Sequence, residues 1–218
     1  MEYFKINSLW KREEYVKGLP KGSHGRLIEG DYSEPEFGNI KHWWVEEKID
    51  GINIRIVYKD GKVSFSGRKK DSQVPSYILE YLKATFSDIL FNTAFPSNDN
   101  EPYPHIILFG EGYGPKIQAC GSNYRNDVSF ILFDIWANGW WLKREDVKLL
   151  GSQLSTDVVP HIGVFPTDEI IQFVKSKPLS LLSLVPQMME GVVCRSHPLM
   201  LFRNGKPIIF KLKTRDLL

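Results

Sequence analysis

Residues 52–67 alternate apolar and polar side chains on both sides of Asp60 and Gly61, reading INIRIVY, KDGK and VSFSG. A period of two sends one side of a strand into a core and the other away from it, and an Asp-Gly pair between two such runs folds them into a hairpin. A chain built around this unit has to form an antiparallel sheet. The segment WWVEEKI leads into the hairpin, and HIILFGEGYG and DVSFILFDIW follow it. Asn138 and Gly139 turn the last of these into WWLK, a second hairpin. VVPHIGVF, EGVVCRS, LMLFR and PIIFKLKT read as further strands, the final two joined by a turn at Asn204 and Gly205. Helical spacing predicts one helix over residues 76–90, a short one over KREDVKLLGSQL, and a third over TDEIIQFVKS capped by Thr167. KGSHG and YSEPEFGN are turns in an irregular opening, and FNTAFPSNDNEPYP is a polar loop. The fold class is therefore α+β, with largely antiparallel sheets and flanking helices.

Bulk properties remove several classes of function. The chain has 218 residues, 42% of them hydrophobic and 25% charged, which is an ordinary globular composition. No internal boundary is visible, so one domain over residues 1–218 is expected. A formal net charge of +2 excludes a polybasic coat but leaves room for a local basic groove. No apolar run approaches the ~20 residues a membrane helix needs, and the opening MEYFKINSLWKREE lacks the apolar centre of a signal peptide. No membrane partner is expected. Cys120 and Cys194 are far apart and no CxxC occurs, so the cysteines point to a reduced, cytoplasmic protein without a zinc knuckle, with one disulfide between them as the weaker alternative. His24, His42, His105, His161 and His197 show no metal-ligand spacing. Trp43, Trp44, Trp140 and Trp141 read as core and hairpin packing, and Lys69 and Lys70 as a hairpin end that is either solvated or set against a phosphodiester backbone.

Lys48 does not fit this bland picture. It sits among Val45, Ile49, Ile52, Ile54 and Ile56, in what otherwise reads as a strand. Three more segments, FGEGYG, MEGVV and FKLKT, bring Glu111, Glu190, Lys211 and Lys213 into similar apolar settings. Each alone has an ordinary reading, as an edge lysine, a solvated turn or a solvated strand face. Together, three lysines converging from different strands need an anion, and a phosphate suits them. Two carboxylates beside a phosphate suggest a divalent cation with oxygen ligands. A lysine becomes a nucleophile only when neutral, and burial with neighbouring ammoniums at Lys211 and Lys213 would favour the free amine at Lys48. GEGYG is not a dinucleotide fingerprint, because PKIQACGSNY after it does not read as a helix.

EKIDG resembles the KxDG motif of the covalent nucleotidyltransferases, the superfamily of polynucleotide ligases and mRNA capping enzymes. SGR at residues 66–68, GEGYG, FDIW at residues 133–136, EGVV and KLK resemble its later motifs, in order, from Lys48 to Lys213. DNA ligases usually carry an arginine five residues after the lysine. Asn53 stands there, as in RNA ligases of the phage double-strand-repair type. GYGPKIQACGSNY and the opening segments KINSLWKR and EGDYSEPEF are also similar to small phage and bacterial RNA ligases.

The resemblance implies an adenylyltransferase domain and an ATP-dependent RNA ligase. Lys48 would attack the α-phosphorus of ATP and form lysyl-AMP. AMP would pass to the 5′-phosphate of an RNA end, and a 3′-hydroxyl would displace it and seal the strand, in a nicked duplex or single-stranded RNA. Lys211 and Lys213 would neutralise the α-phosphate. Glu190, with Asp50 and Glu111, would hold hydrated Mg²⁺ or Mn²⁺, unless Glu111 binds the ribose. Asn53 and Arg68 would position phosphates, Arg68 that of the nucleic acid. Phe133 would stack on adenine, and the backbone at Glu47 and Ile49 would read its edge. The setting implied is RNA repair in the cytoplasm of a bacterium or a phage-infected cell. With the sequence ending just after KLK, no C-terminal oligonucleotide-binding or helical domain is expected within it, so it is either a minimal one-domain ligase or a truncated piece of a longer one. The alternatives are a DNA ligase, a GTP-using capping enzyme, or a nucleotide- or nick-binding module without turnover.

Overall fold

The structure is a computed structural model that describes residues 1–14, 25–69, 72–97 and 103–217. Most of the predicted KGSHG turn, His24, Lys70 and the centre of the loop expected over FNTAFPSNDNEPYP lie outside the described residues, and the first four residues of that expected loop are helical instead. The strands, in chain order, are β1 (Asn7–Ser8), β2 (Trp10–Arg12), β3 (Leu27–Tyr32), β4 (Trp43–Glu47), β5 (Ile52–Lys59), β6 (Lys62–Gly67), β7 (Ile106–Tyr113), β8 (Ser129–Ala137), β9 (Trp140–Trp141), β10 (Asp157–Val158), β11 (His161–Phe165), β12 (Gly191–Ser196) and β13 (Ile209–Lys213). The helices are α1 (Ser76–Thr85), α2 (Asp88–Ala94), α3 (Gly121–Tyr124), α4 (Arg144–Gln153) and α5 (Thr167–Lys175). Short 3-10 turns occupy Pro35–Asn39 and Thr214–Leu217. No helix of the described residues is long and apolar enough to cross a membrane.

The chain divides into two compact units. The first comprises Met1–Tyr3, Ile49–Val159 and Leu182–Val185. Its sheet runs β10-β8-β7-β5-β6, with β9 folded onto β8. All pairings are antiparallel except that of β10 with β8. The expected hairpin is β5 and β6, pairing Lys59 with Lys62 across Asp60 and Gly61. Alternation then sorts the residues. Ile54, Ile56 and Tyr58 enter a core with Leu108, Leu132 and helix residues Ile78, Leu82 and Phe91. Asn53 and Arg55, one step out of phase, share the opposite face with their cross-strand partners Glu111 and Phe109.

The second unit comprises Phe4–Lys48, Pro160–Leu181 and Pro186–Leu218. Its larger sheet runs β1-β13-β12-β4-β11, antiparallel except where β1 joins β13, and β2 and β3 form a separate ribbon. Trp43, Val45, Val192, Phe210 and Leu212 fill its core with Ile170 and Val174 of α5.

Several local expectations change. The single helix expected over residues 76–90 is two. Ser87 accepts a hydrogen bond from the Leu90 amide (3.2 Å) and so starts α2, while buried Phe86 ends α1. The strand expected over VVPHIGVF breaks at Pro160, into β10 beside β8 and β11 beside β4. Thr167 does not cap α5. It is the first helical residue, and its hydroxyl accepts from Trp43 Nε1 at 3.0 Å. LMLFR is not a strand but a lone bridge between Leu201 and Pro207, closed by the expected turn at Asn204 and Gly205. Trp140 does not pack: it stands exposed beside the tip of its hairpin. Cys120 and Cys194 are both free thiols.

Candidate active site

β4 ends at Glu47, so Lys48 lies just past the strand rather than inside it. Its amide donates to Gly191 O at 2.9 Å, which fixes the lysine to the start of β12. Gly191 has φ +152, and a Cβ there would meet Leu212 O at 2.2 Å. Only glycine lets the backbone after Glu190 approach so closely. Thr214 completes the seat. Its hydroxyl donates to Met189 O (2.8 Å) and its amide to Glu190 O (2.9 Å).

Glu190 is the centre of the cluster. Lys48 Nζ donates to Oε2 and Lys213 Nζ approaches Oε1, both at 2.7 Å. Lys211 and Lys213 sit two apart on β13 and project to one face, while Phe210 and Leu212 point into the core. Burial alone would raise the Glu190 carboxyl, but the Lys48 and Lys213 ammoniums outweigh it and hold the group below its ordinary value. Lys211 is brought down to about 8, first by burial and then by Lys48, Lys213 and Lys5. Lys48 is engaged as a donor to Glu190. Two ammoniums share one carboxylate with a third lysine, Lys211, close enough to feel them, an excess of positive charge that an anion would relieve. A groove of about 320 Å³ opens from this pair, lined by Lys5, Lys11, Arg12, Lys211, Lys213 and Arg215 among others. Lys11 is tied to Asp31 (2.7 Å) and Arg12 to Asp216.

Glu47, assigned above through its backbone, is almost completely buried. Its amide donates to Pro160 O (2.9 Å) and so is already engaged within the protein. Its carboxylate accepts from Ser180 Oγ and from the Leu181 amide.

The first unit carries the remaining residues. Ile49 is buried with Tyr113, Tyr124 and Ile131. The Asp50 amide faces Tyr124 OH at 3.5 Å. Gly51 packs so close to β7 that a Cβ would meet Gly112 O at 2.2 Å, a physical reason for the glycine of KIDG. Asn53 and Glu111 are cross-strand neighbours, and Asn53 Oδ1 is buried without a hydrogen-bond partner. Such an orphaned acceptor is costly and suits a site that receives a donor from a ligand. Phe133 lies at the register shift of β8. Tyr3 packs edge-on against it (5.0 Å), and its carbonyl accepts from Arg144 Nη1 (2.6 Å). Tyr3 OH in turn donates to Asp134 at 2.6 Å. Arg68 is exposed just beyond β6.

The structure therefore brings Lys48, Glu190, Lys211 and Lys213 together in one unit, and Asn53 with Glu111 in the other. Sequence reasoning missed Ser180 and Thr214, for which no local signal exists. It also missed Arg55, buried and bonded to Ser66 Oγ and Met1 O. An arginine inside INIRIVY is the same kind of anomaly as Lys48 and was a usable signal. Among the described residues no three His, Cys, Asp or Glu side chains converge as a metal cage. A lone carboxylate with lone pairs beyond its two lysine contacts still fits a hydrated ion completed by phosphate oxygens.

Comparison with known proteins bears on the fold and the family. No curated protein matches the sequence. Solved structures of the Naegleria gruberi RNA ligase share the fold. A variant with AMP and Mn aligns with TM-score 0.61 and 20% identity, over 83% of this chain and 52% of that one. Another with ATP and Mn gives 0.60 and 19%, over 80% and 49%. The enzyme with PPi gives 0.59 and 20%, over 80% and 50%. The chain thus spans about half the length of these relatives. The family model for RNA ligase matches residues 41–213, the stretch that begins just before β4 and closes on Lys213. With that stretch comprising most of the sequence and including every residue of the lysine and glutamate cluster, the chain belongs to the RNA ligase family.

Proposed function

We propose that this protein is an ATP-dependent RNA ligase that works through a lysyl-AMP intermediate. The observation that supports it most directly is the cluster in which Lys48 and Lys213 both pair with the carboxylate of Glu190 and Lys211 lies within their electrostatic reach. Glu190 keeps Lys48 Nζ and Lys213 Nζ within one carboxylate's span. An α-phosphate entering there meets the nucleophile and a neutralising ammonium together, and much of the rate comes from that alignment.

Lys48 Nζ, having lost its extra proton, forms the N–P bond as the P–O bond to pyrophosphate breaks. Lys211 and Lys213 balance the charge on the α-phosphate oxygens. The 5′-phosphate oxygen of an RNA end then displaces lysine and takes AMP, and a 3′-hydroxyl, giving up its proton, displaces AMP to leave a phosphodiester. Phe133 is assigned the adenine ring, Glu111 the ribose or metal, Asn53 the nucleotide phosphates and Arg68 the 5′-phosphate. Glu190, and Asp50 and Glu111 of the first unit, are the oxygen donors assigned to hydrated Mg²⁺ or Mn²⁺, which when bound supplies further neutralisation of phosphate charge. The relatives solved with ATP, AMP and Mn support the choice of nucleotide and metal.

The test is sealing. A duplex with an RNA nick bearing 5′-phosphate and 3′-hydroxyl ends, the same nick in DNA, and single-stranded RNA are incubated with ATP and Mg²⁺. Sealed RNA is the expected product. Sealing of DNA alone, or of nothing, contradicts the proposal.

A further inference from the structure

Glu47 is 1% exposed and immediately precedes Lys48. A buried carboxylate is costly unless its oxygens are bonded. Both are bonded here. Oε1 accepts from Ser180 Oγ, and Oε2 accepts from the Leu181 amide at 2.8 Å. The Glu47 amide donates to Pro160 O and the Lys48 amide to Gly191 O, each at 2.9 Å. The backbone carrying the lysine is thus held from both sides, and the Glu47 side chain adds a third anchor.

That third anchor comes from a loop closed on itself. Met189 donates to Pro178 O and Ser180 to Gln187 O, both at 2.8 Å, and Leu179 bridges Met188. Glu190 follows directly and binds Lys48 Nζ. One loop therefore reaches the lysine twice, from its start through Ser180 and Glu47, and from its end through Glu190.

We propose that Ser180 is a positioning residue for the adenylylation of Lys48, acting through the Glu47 carboxylate. This rests on the reading of Lys48 as the nucleophile. Removing the hydroxyl takes a donor away from a buried carboxylate, a costly loss that favours a shift of the side chain toward other donors. That movement pulls on the end of β4, and a shift of about 1 Å in a reacting atom costs up to ~100-fold in rate.

The experiment measures single-turnover adenylylation with ATP and Mg²⁺ in wild type, Ser180→Ala and Ser180→Thr, with hydrogen exchange of the peptide covering residues 43–51. Ser180→Ala is expected to lower the rate at saturating ATP about tenfold or more, with a smaller change in the half-saturating concentration. Amide exchange in the peptide should rise. Ser180→Thr, which keeps the hydroxyl, should restore both. Glu47→Gln keeps the shape but loses one acceptor oxygen. It should show the same loss of rate, and it carries the test if Ser180→Ala does not fold. A wild-type adduct formed equally fast in Ser180→Ala and Glu47→Gln, or a Ser180→Thr protein as slow as the alanine variant, overturns the role of Ser180 alone. A wild-type protein that forms no adduct overturns the ligase reading and this role with it.

Discussion

Replacing Glu190 with Gln removes the one carboxylate shared by Lys48 and Lys213 while keeping the side chain's shape. With charges about 4 Å apart and an effective dielectric constant near 20, each pair carries about 4 kcal/mol of raw attraction. Breaking a fully buried pair costs about 3–5 kcal/mol net. Here the side chains keep between 16% and 21% of their surface exposed, and glutamine can still accept from one lysine, so a loss of about 2 kcal/mol is expected. At roughly 2–4 °C per kcal/mol for a chain of this size, the melting temperature should fall by about 4–8 °C near neutral pH. The Glu190 carboxyl is held below its ordinary value of 4.5, so its contribution is present above that pH and fades as pH falls through the lower folded value. The gap between variant and wild type should close on acidification. Inorganic pyrophosphate should stabilise the variant more than wild type, because three unbalanced lysines remain. Calorimetry across pH, with and without pyrophosphate, measures all of this. A variant as stable as wild type at neutral pH, or a gap that does not close in acid, would refute the electrostatic account of the cluster.

Lys211 binds its proton more weakly in the folded state, at about 8 against 10.5, so between these values the unfolded chain holds more protons and stability should rise with pH. Denaturant titrations should show that rise in wild type and lose it in Lys211→Met; its persistence in the variant assigns it to another group. Arg68→Ala should spare self-adenylylation and lower sealing on the order of tenfold, since a guanidinium fork suits a terminal phosphate. Equal losses in the two assays would move Arg68 to the ATP triphosphate.

What the sequence made legible was local. Asp60 and Gly61 between alternating runs define β5 and β6 without help from the rest of the chain. Lys48, Glu190, Lys211 and Lys213 stood out because charges in apolar strands need partners, and the partners proved to be one another. Errors arose where a local signal was overridden or ignored. The helical period runs straight through Ser87, so the cap that splits α1 from α2 was hidden. Pro160 was read through, although a proline without an amide donor seldom continues a central strand. The division into two units depends on which sheet each strand joins, a non-local matter that leaves no mark at residues 48 and 159. Ser180 and Thr214 matter through partners far along the chain, Glu47 and Met189, and nothing in SLLS or KTR announces them.

The central claim is that Lys48 becomes covalently bound to AMP. Incubation with ATP labelled at the α-phosphate and Mg²⁺, followed by denaturation, digestion and mass spectrometry, tests it directly. The account predicts an acid-labile, alkali-stable AMP adduct on the peptide containing Lys48, absent from a folded Lys48→Ala protein. A label on another residue, an undiminished label in Lys48→Ala, or no label in wild type would contradict it.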